Sequence, residues 1–126
     1  MGVSIQEYEK ALTSLKDAFN FYNEEIIELK KKIIRDAVIQ RFEFSFELAW
    51  KVSLKIKGVQ SSAPKDTIRE MARWGLIEDV NHWFEFLDAR NQSSHSYDDD
   101  VAQKVFFLAI EFIAEADMLL KKLKLT

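Results

Sequence analysis

Cysteine is absent from the 126-residue chain, which removes disulfide frameworks, thiolate metal sites and cysteine nucleophiles together. That absence suits a reducing compartment, and a cytoplasmic location is the expectation. One proline and three glycines are too few for the many tight turns of an all-β domain. Histidine occurs twice, so near-neutral acid–base chemistry has two candidate carriers. No apolar run approaches the roughly 20 residues of a membrane span, and Met1–Lys10 lacks the basic and apolar regions of a secretory signal, so no membrane association is expected. No Gly-rich phosphate loop, HExxH, CxxC or nucleophile elbow is present, which leaves ATP hydrolysis, zinc proteolysis and serine esterase chemistry without support.

What is there is helix-forming and apolar. Hydrophobic residues make up 48% of the chain and charged residues 31%, the balance of one globular domain over residues 1–126. Ten phenylalanines and three tryptophans supply bulk for its core. The net charge of −3 argues against a general nucleic-acid-binding surface. Ser4 and Glu7 stand in capping-box spacing, so a first helix begins after Ser4. Ile5, Tyr8, Leu12, Leu15, Phe19 and Tyr22 then recur at three- and four-residue steps and mark its buried face. The period runs on past Ile26 and Leu29, but one helix from Ser4 to Lys57 would be about 80 Å long, too long for this domain. A break is therefore expected between Asn20 and Lys31.

The second helix is expected from about Lys32 to Lys57, with Gly58 as its left-handed cap. Phe42, Phe44 and Phe46 alternate like a strand, yet Ile34, Val38, Ser45, Leu48, Val52 and Ile56 keep helical period, and length decides for helix. Its apolar surface over Phe42–Trp50 is too wide for one bundle core, which points to a homodimer. Val59–Ala63 reads as a loop, Pro64 as the first turn of a short third helix ending near Gly75, and Asp79 as the cap of a fourth. Asn91–Ser96 is polar and expected to be irregular. Asp98–Asp100 opens a fifth helix with Val101, Val105, Leu108, Phe112, Ala116, Leu119 and Leu123 on one face. The fold class is all-α: an up-and-down bundle of about five helices, four long and one short.

His82 lies in an aromatic helix start and reads as a packed or surface histidine. His95 lies in the polar window Ala89–Tyr97, five residues after Arg90. On an ideal helix those two would stand about 140° apart, but a helix ending near Asn91 lets the Ser93–Ser94 turn bring imidazole back towards guanidinium. Arginine can hold a phosphate bidentately while histidine moves a proton, which are the two roles RNA cleavage by its own 2′-hydroxyl needs, with no metal or cofactor. A capped helix end with a solvated histidine is the competing reading. Asp98, Asp99 and Asp100 read as capping and dipole complementation rather than as a magnesium site. Glu47, Lys51 and Arg41 read as ion pairs of helical spacing.

Three segments, IQRFEFSFELAWK (Ile39–Lys51), APKDTIREMARWGLI (Ala63–Ile77) and ARNQSSHSYDD (Ala89–Asp99), resemble the nucleotidyltransferase substrate-binding proteins, the HepT-like branch of the HEPN superfamily. Arg90, Asn91 and His95 match the HEPN Arg-x(4–6)-His motif, and Arg90, His95 and Tyr97 match the Arg-x4-His-x-Tyr form of that branch. The resemblance implies Arg90 and His95 as catalytic residues, Asn91 in support, and Tyr97 as a modification or nucleotide-binding residue. It implies a two-component, toxin–antitoxin-like pair with a minimal nucleotidyltransferase (MNT), and a homodimer within a larger hetero-oligomer. The helical subunit would be a metal-independent ribonuclease silenced by AMP transfer to its tyrosine. The alternative is a non-catalytic substrate-binding subunit of a split nucleotidyltransferase, with RNA or a nucleotide as the ligand in either case.

Overall fold

The computed structural model describes residues 3–60 and 62–126, so the first two residues of Met1–Lys10 lie outside the described residues. Helices α1 (Ile5–Glu24), α2 (Glu28–Ile56), α3 (Pro64–Arg73), α4 (Val80–Gln92) and α5 (Asp99–Lys124) follow in order, with a 3-10 turn over Ser93–His95 between the last two. Among the described residues there is no strand, and the expected all-α bundle is the observed architecture. No helix is long and apolar enough to cross a membrane among the described residues.

Local chemistry sets most of the boundaries. Ser4 Oγ accepts the Glu7 backbone N–H at 3.1 Å, and Asp79 Oδ1 accepts that of His82 at 3.0 Å. Asp98 caps α5 by accepting from the backbone of Asp100 and Val101. Pro64 occupies the first turn of α3. Gly58 and Gly75 take the positive φ (76° and 78°) that closes α2 and α3 in left-handed caps, where a side chain would be strained. The expected break between α1 and α2 falls at residues 25–27, where Glu25 Oε2 accepts the N–H groups of Ile26 and Ile27. Helix α2 thus begins about one turn before the expected Lys32. The loop expected over Val59–Ala63 includes Ser61, which lies outside the described residues; the residues around it carry no regular structure.

Cross-contacts give an up-down-up-down order of the four long helices. Tyr8 on α1 donates its hydroxyl to the Ala116 carbonyl of α5 at 2.8 Å, and Tyr22 packs on Phe106. Burial pushes the Tyr8 phenol well above its ordinary pKa, and the Asp117 carboxylate adds to the shift. The centre is an aromatic cluster in which Phe112 meets Phe42, Phe46, Trp83 and Phe86 with ring centroids 5.3–6.1 Å apart. These five side chains are fully buried.

This core corrects the reading of α2. Phe42 and Phe46 are consumed by the chain's own core and Trp50 is buried beside them, so most of the supposed surplus over Phe42–Trp50 is not free surface. Phe44 alone among the three phenylalanines stands out, 55% exposed. The more exposed stripe lies along another line of α2: Leu29, Ile33, Ala37, Gln40, Phe44 and Leu48, spaced by four, four, three, four and four residues, with Ala37 and Leu48 half-buried and Leu48 packed on the core. Leu29 and Ile33 are 70% and 63% exposed.

Candidate functional site

Helix α4 runs slightly further than the polar window suggests, to Gln92, before the 3-10 turn carries the chain to α5. Arg90 therefore sits in the last turn of a regular helix, facing α2. Its Nε donates to Glu47 Oε1 at 2.6 Å, and Glu47 also has Lys51 at 3.6 Å, one turn on. Engaging Nε fixes the guanidinium plane and leaves its terminal Nη1/Nη2 edge as a planar two-donor fork. Arg41, grouped with these ions on the basis of spacing, makes no ion pair among the described residues.

One turn on, the buried Ser93 hydroxyl lies 2.6 Å from Glu43 Oε2 and 2.6 Å from the Arg90 carbonyl. Its single proton serves two acceptors, so the start of the 3-10 turn is tied both to α2 and to the end of α4. Glu43 and Glu47 stand four residues apart on α2 and support the Arg90 segment as a pair. Neither is assigned this task by the sequence reading. The available signal is two carboxylates spaced by one turn inside an otherwise aromatic helix, where an acid requires a partner.

His95 and Tyr97 point away from the core. Tyr97 is 85% exposed, its hydroxyl lies 3.5 Å from His95 Nδ1, and the two rings stand edge to face at 71°. Among the described residues no hydrogen bond joins Arg90 to His95: the turn places both in one short segment, with Arg90 held by α2 and His95 beside Tyr97. Asn91 is exposed next to Arg90. A groove of about 410 Å³, lined by Asp36, Ala37, Ile39, Gln40, Glu43 and Ser96, runs between this segment and the exposed stripe of α2.

Two of the three aspartates have separate work. Asp98 caps α5, and Asp99 reaches back to Arg35 Nη2 at 2.9 Å with Lys32 at 3.9 Å. That hydrogen bond from Arg35, then the charges of Arg35 and Lys32, hold the Asp99 carboxyl below the usual aspartate range. Among the described residues no three histidine, aspartate or glutamate side chains converge as a metal ligand set.

A family model described as "Nucleotidyltransferase substrate binding protein like" matches residues 3–125. A Haemophilus influenzae protein named "Probable ribonuclease HepT" is 31% identical over 109 residues, which cover 77% of this chain and 75% of that protein. A solved Haemophilus influenzae structure, described as revealing the fold of a substrate binding domain of a nucleotidyltransferase, superposes with a TM-score of 0.81 at 27% identity, over 95% of this chain and 98% of that one. A crystal structure of a Thermus thermophilus protein gives 0.78 at 30% identity, over 92% of this chain and 98% of that one. The bundle and these likenesses converge: the chain belongs to the nucleotidyltransferase substrate-binding, HepT-like family.

Proposed function

We propose that this chain is the helical HEPN-type subunit of a two-component pair with a minimal nucleotidyltransferase, and that it cleaves RNA. The observation that carries this reading is the Nε-anchored Arg90, whose free fork is suited to a phosphate, within one short segment of an exposed His95. In the reaction a 2′-hydroxyl attacks its neighbouring phosphorus and the 5′-oxygen leaves with a proton. Arg90 offsets the charge that builds on the phosphoryl oxygens, and His95 carries the proton between the entering and leaving oxygens. Both roles are filled by side chains, so the proposed reaction is metal-independent. Asn91, exposed one position on, is the proposed supporting residue.

The same reading makes the active form a homodimer. A second copy laid along Leu29, Ile33, Ala37, Gln40, Phe44 and Leu48 would cover the stripe of α2 and border the groove that reaches Ser96, bringing two Arg90–Tyr97 segments close together. Tyr97, with its hydroxyl in solvent beside His95, is the proposed acceptor of AMP from the partner enzyme. An anionic adduct there would occupy the space a substrate phosphate needs.

A second reading, a non-catalytic subunit that presents a nucleotide to the partner, is favoured by the acidic lining of the groove, Asp36 and Glu43, which repels a polyanion. An RNA-cleavage assay on the protein alone, with His95→Ala as control, separates the two. Cleavage lost in His95→Ala supports the ribonuclease. Cleavage that persists in that variant comes from something other than the proposed site and removes His95 from the mechanism; none by the unmodified wild type leaves the presenting subunit. Incubation with the partner and ATP should add whole AMP units at Tyr97 and suppress the cleavage.

A further inference from the structure

His82, in the first turn of α4, has a carboxylate on each side of its ring. Nε2 lies 2.9 Å from Glu111 Oε1, and Nδ1 lies 3.6 Å from Glu115 Oε2. The two glutamates are one turn apart on α5, so the imidazole spans consecutive turns of its neighbour. Phe86 packs against the ring with centroids 4.4 Å apart. The other oxygen of Glu115 accepts the indole N–H of Trp83 at 3.3 Å, and Trp83 is fully buried in the central aromatic cluster.

Charges from the neighbouring elements leave this arrangement acidic. Asp79, which caps α4, is a third carboxylate beside His82. Lys65 and Arg69 of α3 lie over Phe84, and Arg69 is bonded to Asp66. Glu78, in the turn before α4, pairs with Lys122, and the Glu47 that α2 turns towards α4 is taken by Arg90. No cation from these elements pairs with Glu111 or Glu115 among the described residues.

Only the imidazolium has an N–H on both ring nitrogens; neutral imidazole donates to one carboxylate and turns a lone pair towards the other. We propose that His82 is a proton-operated clamp. Charged, it ties the start of α4 to two turns of α5; neutral, it releases one of them and loosens the α4–α5 hairpin whose closed end carries Arg90–Tyr97. Partial burial disfavours the charged ring, but the hydrogen bond to Glu111 and the charges of Glu115, Glu111 and Asp79 outweigh it and raise the His82 pKa. With the folded value above the unfolded one, the stabilisation is complete below about pH 6.5 and is lost as pH rises through the folded pKa.

Two histidines make the test direct, because the imidazole C2–H resonances are assigned by His95→Ala alone. His82 should titrate above about pH 6.5, and Glu111→Gln or Glu115→Gln should each lower its proton affinity several-fold. The wild type should lose thermal stability as pH rises above about 6.5 through the His82 midpoint, and His82→Gln should lose much less over that interval. A His82 midpoint at or below about 6.5, or the same pH slope in His82→Gln, overturns the clamp. If His82→Gln does not fold, the midpoints of the wild type and of Glu115→Gln decide. None of these readouts depends on whether RNA is cleaved.

Discussion

Glu47 on α2 and Arg90 on α4 are 43 residues apart in the chain, yet Glu47 Oε1 and Arg90 Nε lie 2.6 Å from one another. That bond directs the guanidinium: the carboxylate takes the inner nitrogen, and the outer edge is the one the proposed phosphate would meet. Lysine has neither the inner donor nor the planar fork, so charge alone cannot reproduce the arrangement.

Arg90→Lys is accordingly expected to lose most affinity for RNA or nucleotide while keeping its helix content. Glu47→Ala should weaken binding about tenfold, the loss of one charge-assisted hydrogen bond worth about 1.5 kcal/mol. Titration of each variant with a fluorescent oligonucleotide at low salt checks both. Wild-type affinity in Arg90→Lys would make Arg90 a structural residue.

Phe44 and Phe46 are neighbours on one helix with opposite fates. Phe44→Glu places charge on the exposed stripe and should convert a dimer to a folded monomer in sedimentation velocity. Phe46→Glu places it in the core and should abolish cooperative unfolding. A wild type that is monomeric at tens of micromolar removes the dimer from the proposed function.

Phe112 joins rings from α2 and α4 to α5, so its truncation empties the middle of the bundle. Phe112→Ala should cost about 3–5 kcal/mol, read as a fall in the urea midpoint at unchanged slope.

Acid should expose the Asp99–Arg35 pair. The Asp99 carboxyl is held below its ordinary pKa, so its contribution is present above about pH 4 and disappears as pH falls through the folded value. Arg35 Nε is buried without a partner among the described residues, which leaves the Nη bonds to Asp99 and Gln103 to hold the group. Asp99→Asn should therefore be less stable than wild type at about pH 6, with the gap narrowing towards about pH 3 in urea unfolding.

The local parts of this fold are written in the order of its residues. Ser4, Asp79 and Asp98 accept backbone N–H groups within three residues of themselves, Pro64 opens a helix, and Gly58 and Gly75 close two. Each of these interactions closes within a turn, so no distant partner is needed to place it. The Arg90, His95 and Tyr97 spacing is legible for the same reason, being one continuous stretch.

What lies across helices is decided by packing. Which phenylalanine of α2 enters the core depends on the rotation of α2 against α4 and α5, and periodicity alone cannot tell Phe44 from Phe46 in a run apolar on several faces. The partners of Arg90, Ser93 and His82 are glutamates 29 to 50 residues away, brought within hydrogen-bond reach only when the bundle closes. Residue order and spacing determined the helices and the chemical groups of the Arg90–Tyr97 segment. The tertiary structure decided where those groups point, because short-range bonds between carboxylate and cation form only after burial of the aromatic core has fixed the helices against one another.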